Sequence, residues 1–419
     1  MTQAVSNTTK RKGLAGRIVS VLVAVSGLSA CGEPHPMTVV IQQPPAGSQS
    51  GQPHLSNTPG GNIVMSWLET EESTLLRFAE FDGQDWSAPA TVAEGSDWFV
   101  NWADFPSVVP LSDDTWAAHW LRKTPGSRYS YDVILSLSAD GGESWSDGIV
   151  PHDDNTPTEH GFVSLWPAAG GVGALWLDGR ETSGHGHHDN SGGGMTLRSA
   201  VLGADGRIRD SQLIDPLICD CCQTDIAMTG NGPLAVYRDR SESEIRDIYA
   251  SRWIDGKWSE GIPVANDGWQ IAGCPVNGPS VGWSHDLTTV AWFTGADEEP
   301  RVRVAFSDDD GRSFTPPVDL DADAPLGRVA VLALDSRSSL VAWYATRGDH
   351  GASLIATRVS RNGEAGKPVE ITTVDRSRLS GFPQLAAHND SVVFAWTEVN
   401  EDDTQVASAI APMALFPAP

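Results

Sequence analysis

The sequence predicts an all-β protein, a β-propeller of seven blades, with six as the alternative. Two observations carry that reading. First, a strand motif in which an apolar run closes on an aromatic residue recurs along the chain. It appears as NIVMSW (Trp67), TWAAHW (Trp120), VGALW (Trp176), PLAVY (Tyr237), LTTVAW (Trp292), LVAW (Trp343) and VVFAW (Trp396), at spacings of 53, 56, 61, 55, 51 and 53 residues. Second, the chain has 42 glycines, 27 prolines and 16 tryptophans and no long helical pattern. Short strands with turn signals at a period near 50 residues are what a propeller blade requires.

Within each repeat the elements follow in order. The aromatic strand is usually followed by a second strand, such as YDVILSLS, TLRSAVLG, DIYASRW or RVRVAFS. A tight turn and a third strand come next, as in DGQDWSAP, DGGESWSDG, DGKWSEG and DGRSFTPP. The seventh repeat has no clear outer strand of its own. MTVVIQQPP (Met37 to Pro45) is expected to supply it and close the ring from the N-terminal side. Closure leaves only short, protected edges.

The propeller is expected to span residues 37–419. Residues 1–30 read as a signal peptide, with four basic and no acidic residues, the apolar run IVSVLVAVSGL and small residues before Cys31. That run is shorter than the twenty or so apolar residues a membrane span needs. Residues 31–36 then form a tether. The Leu-Ser-Ala-Cys ending resembles the bacterial lipobox, which implies lipidation at Cys31, and Gly32 after it resembles lipoproteins sorted to the outer membrane. The expected location is the bacterial cell envelope, with membrane contact through the lipid anchor only. Loss of the first thirty residues takes the net charge from −26 to −30 (24 basic against 54 acidic residues). So acidic a surface excludes nucleic-acid backbones as partners.

Two turns carry a recognisable pattern. SADGGESW (Ser138, Asp140, Gly142, Trp145) and SDDDGRSF (Ser307, Asp309, Gly311, Phe314) match the Asp box S-x-D-x-G-x-x-W; Asp82 to Trp86 and Asp255 to Trp258 are eroded copies. The chain therefore resembles the BNR (Asp-box) repeat proteins of the sialidase superfamily, which implies a sialidase-like propeller and a glycoside hydrolase of exo-α-sialidase type. The F-R-I-P-like arginine segment of that family has no counterpart in PHLSNTPGG (Pro53 to Gly61). The box itself is a folding device. Its aspartate caps turn amides and its glycine takes a positive φ.

Alternating strand direction sends B–C loops and D-to-A connections to one face of a propeller, and the unusual residues all fall there. Asp178, Glu244 and Asp239 are candidate catalytic acids for glycan chemistry, Asp178 as a general acid if burial raises its pKa. Arg180, Arg238, Arg240 and Arg246 could grip carboxylate, sulfate or phosphate, and Trp98, Trp102 and Trp269 could stack on sugar rings. Each has an ordinary structural role as its rival. Cys219, Cys221, Cys222 and Cys274 are expected to form disulfides in an oxidising compartment. Alternatively, with His185, His187 and His188 of the loop HGHHDN, they could bind copper or zinc. The cysteine run is read as C-x-C-C, a weaker zinc signature than C-x-x-C. Three functions stay open: an anionic-glycan hydrolase or binder, a metal-binding or redox protein, and a non-catalytic partner-binding propeller.

Overall fold

The computed structural model describes residues 37–182, 193–348, 351–400 and 403–419. Its regular structure is nearly all β, in seven antiparallel sheets of consecutive strands with short 3-10 turns between them. Each sheet is one blade, its strands lettered A to D from the channel outwards. Blade 1 runs through Ser50–Asn57, Ile63–Thr70, Thr74–Phe81 and Ala90–Gly95. Blades 3, 5 and 6 repeat that four-strand order, while blade 2 keeps three regular strands. Blade 4 breaks its outer edge into two short fragments, Lys257–Trp258 and Ile262–Pro263. The A strands surround a channel of about 300 Å³ to which all seven blades contribute, from His54 in blade 1 to Gln384 in blade 7.

The ring closes as the sequence predicts. Val40–Gln42 pairs with Asp403–Pro412 of blade 7, with Val40 opposite Ile410 and Gln42 opposite Ser408. The first strand thus completes the last blade. This ties the two ends of the domain together.

The repeated aromatic residue lies within each B strand and sits between blades. Trp67, Trp176, Trp292, Trp343, Tyr237 and Trp396 are buried, with Trp120 at the limit. A buried indole must satisfy its N–H, and carboxylates do so here. Trp67 donates to Glu69 (3.1 Å), Trp176 to Asp178 (2.8 Å), Trp292 to Asp267 (2.7 Å) and Trp343 to Asp321 (2.7 Å). In blade 4 the Tyr237 hydroxyl donates to Asp215 at 2.7 Å.

The Asp-box turns lie at the opposite end of the blades from the B–C loops. Ser138 Oγ donates to Asp140 and accepts from Gly142 N, both at 2.8 Å, and Asp140 accepts from Ser144 N at 2.9 Å. Ser307, Asp309, Gly311 and Ser313 repeat that pattern.

Candidate functional site

The cysteine run follows directly on the outer strand of blade 3, Ile208–Ile218, which is longer than the sequence suggests and takes in all of "DPLI". The chain then turns inwards through Cys219–Cys222 to begin blade 4 at Asp225. This turn buries Cys219, Cys221 and Cys222 in an apolar cluster with Trp166, Leu197 and Tyr237, while Cys274 of the next connection is exposed. Cys219 Sγ lies 3.2 Å from Cys222 Sγ, a contact between thiols rather than the roughly 2.05 Å of a disulfide. The two stand in C-x-x-C spacing, a pair hidden when the run is read as C-x-C-C. All three buried sulfurs lie within 4.8 Å of one another.

An arginine layer covers the sulfurs. Arg246 donates through Nη1 to Cys219 Sγ (3.3 Å) and through Nη2 to Glu244 (2.8 Å). Arg240 bridges Glu244 (2.6 Å) and Asp220 (3.1 Å). Burial opposes charge on Cys219, but hydrogen bonds from Cys221 and Cys222 and the guanidiniums of Arg246 and Arg238 outweigh it. They hold the Cys219 pKa well below the ordinary thiol value. The hydrogen bonds toward Cys219 push Cys221 up, and burial pushes Cys222 up.

All four arginines expected to grip a ligand are engaged within the protein, three of them on carboxylates of their own loops and Arg238 on backbone carbonyls. Arg238, 2% exposed, donates to the carbonyls of Asn277, Arg246 and Phe293 and lies 4.9 Å from the Trp269 ring centroid. It is a brace between blades 4 and 5. Arg240 and Arg246 hold Glu244, whose pKa their charge lowers against its partial burial. Arg180 chelates Asp178 through Nε and Nη2, both at 2.8 Å. Trp98 and Trp269 are buried, Trp98 stacked on Trp120. Only Trp102 of the three tryptophans keeps a partly open ring.

Asp178 is fully buried, and burial alone would raise its pKa. The bonds from Arg180 and Trp176 and the charge of His160 prevail and lower it. That direction is opposite to what a general acid needs. Its position two residues beyond Trp176 matches Glu69 after Trp67, so it caps an indole like its counterpart in blade 1. Among the three candidate acids only Asp239 has a raised pKa, pushed up to about 7 by burial and by Asp215. His185, His187 and His188 lie outside the described residues.

The structure adds residues that the sequence did not single out, all on the same face. In the connection into blade 3, His152 and His160 stack and share Asp154. Tyr131 donates toward Glu159 (2.8 Å) and Asp104 (3.1 Å), and burial, then the Glu159 charge, raises the Asp104 pKa to about 8. Between blades 6 and 7, Arg328 and Arg378 both lie against the Trp102 ring, 5.1 and 5.9 Å from its centroid. Trp102 also stacks on Phe382 at 5.9 Å. The loops holding the histidines and Trp102 were legible as candidates; the pairings across blades were not.

No protein-family model matches the sequence, and no curated protein does. Solved structures resemble the chain in fold. The BP39L lectin from Burkholderia pseudomallei aligns with a TM-score of 0.58 at 13% identity, over 87% of this chain and 97% of the lectin. A PL25 ulvan lyase, a polysaccharide lyase, aligns at 0.52 and 14% identity, over 86% and 94%. The NanB sialidase from Streptococcus pneumoniae aligns at 0.46 and 9% identity, over 90% and 95%. At these identities the likeness is one of fold. The chain is a seven-bladed β-propeller.

Proposed function

We propose that this protein is an exported, lipid-anchored propeller that binds an anionic glycan on its B–C loop face, at Trp102 and Arg378 above Arg328. One observation carries the reading. In a chain of net charge −26, two guanidiniums converge on one half-open indole, and among the described residues neither is in an ion pair with a carboxylate. Arg328 is buried and held by the carbonyls of Ser377 and Gly381 (3.0 and 3.3 Å), while Arg378 is exposed. An aromatic ring offers a stacking surface for a sugar, and a guanidinium outside any ion pair takes a carboxylate or sulfate bidentately. Two propellers of similar fold, a lectin and a polysaccharide lyase, also support a carbohydrate ligand.

Binding is favoured over glycoside hydrolysis because Asp178 and Glu244 are both ion-paired with lowered pKa values. A hydrolase needs two carboxyls free to divide the acid and base roles. Export and attachment rest on the basic n-region, the apolar run and Cys31.

The test is a glycan array of sialylated, uronate-bearing, sulfated and neutral oligosaccharides probed with wild type and Arg378→Ala. The expected result is retention of acidic glycans only, weakened about tenfold or more in the variant. Equal retention of neutral glycans, or an unchanged variant, overturns the proposal. Incorporation of an alkyne-tagged fatty acid, absent in Cys31→Ala, tests the anchor.

A further inference from the structure

The cysteine cluster makes a separate case, independent of the glycan platform. We propose that Cys219, Cys221 and Cys222 form a three-thiolate site for a soft monovalent metal ion, copper(I), with Cys274 at its mouth. Three sulfurs mutually within 4.8 Å already approach the arrangement such an ion requires. A metal–sulfur bond of about 2.3 Å places trigonal sulfurs about 4.0 Å apart. Cys219 and Cys222, at 3.2 Å, would open by less than about 1 Å to reach that spacing.

The surroundings suit thiolates. Three guanidiniums, Arg238, Arg240 and Arg246, border the pocket, but only two carboxylates, Asp220 and Glu244, are ion-paired with them among the described residues. Arg238 binds carbonyls, and Arg246 donates directly to Cys219. Arg246 thus places positive charge directly against Cys219, with Asp239 and Asp247 as further carboxylates nearby. Copper(I) binding displaces the protons of Cys221 and Cys222, adds to the Cys219 sulfur and creates a metal–thiolate centre of net charge −2, which the adjoining Arg246 guanidinium stabilises.

Ligand number and hardness select the ion. Thiolate donors favour copper(I), zinc and iron–sulfur centres, and zinc takes four ligands in a closed tetrahedron. Only three cysteines form the mutually close group among the described residues. Cys274 stands outside it, exposed, and is hydrogen-bonded with Cys221. That position suits a residue that receives the ion and passes it to the buried set.

The experiment uses the mature protein isolated from its native envelope, reduced and handled without oxygen. Copper(I) is titrated against bathocuproine disulfonate, and the loaded protein is analysed by X-ray absorption. The expected result is one copper per chain, won from the competitor, in a shell of three sulfurs. Cys221→Ser and Cys222→Ser should each bind about 100-fold more weakly or worse, whereas Cys274→Ser should slow loading and keep the stoichiometry. If a buried-cysteine variant fails to fold, the wild-type titration and sulfur count decide alone. Failure to take copper from the competitor overturns the proposal. So does a four-sulfur zinc centre that needs Cys274, or a Cys219–Cys222 disulfide that persists in the folded protein under reductant.

Discussion

The imidazoles of His152 and His160 stack face to face, with centroids 3.8 Å apart and planes within 6° of parallel. Asp154 accepts from both, from His152 Nδ1 at 3.0 Å and His160 Nε2 at 3.2 Å. The other nitrogen of His160 faces the Tyr131 carbonyl at 3.2 Å. A ring between two acceptors can donate to both only as the imidazolium, so this geometry favours the charged form of His160. Burial opposes that charge, but the Asp154 hydrogen bond and the Asp178 and Asp154 charges outweigh it and raise the His160 pKa. Burial likewise opposes charge on Asp154, and its bonds from His152, His160 and Thr156 lower its pKa.

This cluster predicts a pH window of stability. A raised histidine pKa contributes stability that is complete below about pH 6.5 and is lost as pH rises through the folded value. A depressed aspartate pKa contributes stability present above about pH 4 and lost as pH falls toward the folded value. Thermal melts of wild type and His160→Gln should therefore differ most between about pH 4 and 6.5, with the gap narrowing at alkaline pH. Asp154→Ala should cost about 3 kcal/mol at pH 6. A gap between wild type and His160→Gln that is constant from pH 4 to 9 would refute the assignment of charge.

Asp104 predicts the opposite behaviour for an acid. It accepts from Phe162 N at 2.7 Å and so anchors a non-glycine residue at φ +55°. A Cβ on neighbouring Gly161 would meet its carboxylate at 2.0 Å. With a folded pKa of about 8, the native state holds this proton more tightly than the unfolded chain. The associated stability is full below about pH 4 and declines as pH rises toward 8. Asp104→Asn keeps an acceptor for Phe162 and has no proton to lose. Its melting temperature relative to wild type should rise steadily from pH 5 to 8.5; a flat difference would place the proton elsewhere.

The fold was legible because one physical requirement recurs in every blade. An aromatic residue must fill the space between sheets, which fixes both the residue type and its period. The site was less legible because its contacts depend on which blades meet. Arg238 reads as a ligand grip, yet it reaches carbonyls of Asn277 and Phe293 in the next blade. Arg378 lies in an unremarkable loop of the sequence and meets Trp102 only when the ring closes. Asp178 reads in one dimension as a general acid. In three dimensions it is the carboxylate that satisfies Trp176.

That role predicts that Asp178 and Glu69 behave alike. Each stands two residues after a buried tryptophan, accepts its indole N–H and meets an arginine, Arg180 or Arg77. Asp178→Asn and Glu69→Gln should each lower stability by about 1–3 kcal/mol, measured by urea unfolding, with glycan retention on the array unchanged. Loss of binding in the folded Asp178→Asn protein, with Glu69→Gln intact, would restore Asp178 as a ligand or catalytic group.

The Asp-box glycines lock each box onto the preceding blade, which gives a last prediction. Gly311 has φ +77°, and a Cβ there would meet Leu234 Cδ1 of blade 4 at 2.6 Å. Gly142 has φ +90° and would meet Phe78 of blade 1 at 2.9 Å. Two costs therefore add in Gly311→Ala, a left-handed backbone and an overpacked contact with a buried leucine, for about 2–4 kcal/mol in all. Asp309→Asn removes charge from a cap that holds Arg312 N, Ser313 N and Ser313 Oγ but keeps an acceptor. Its cost should be nearer about 1 kcal/mol. Leu234→Ala combined with Gly311→Ala separates the two terms. The double variant should fall short of the sum of the single losses if steric contact with Leu234 matters, and should equal it if only the backbone of the turn is strained.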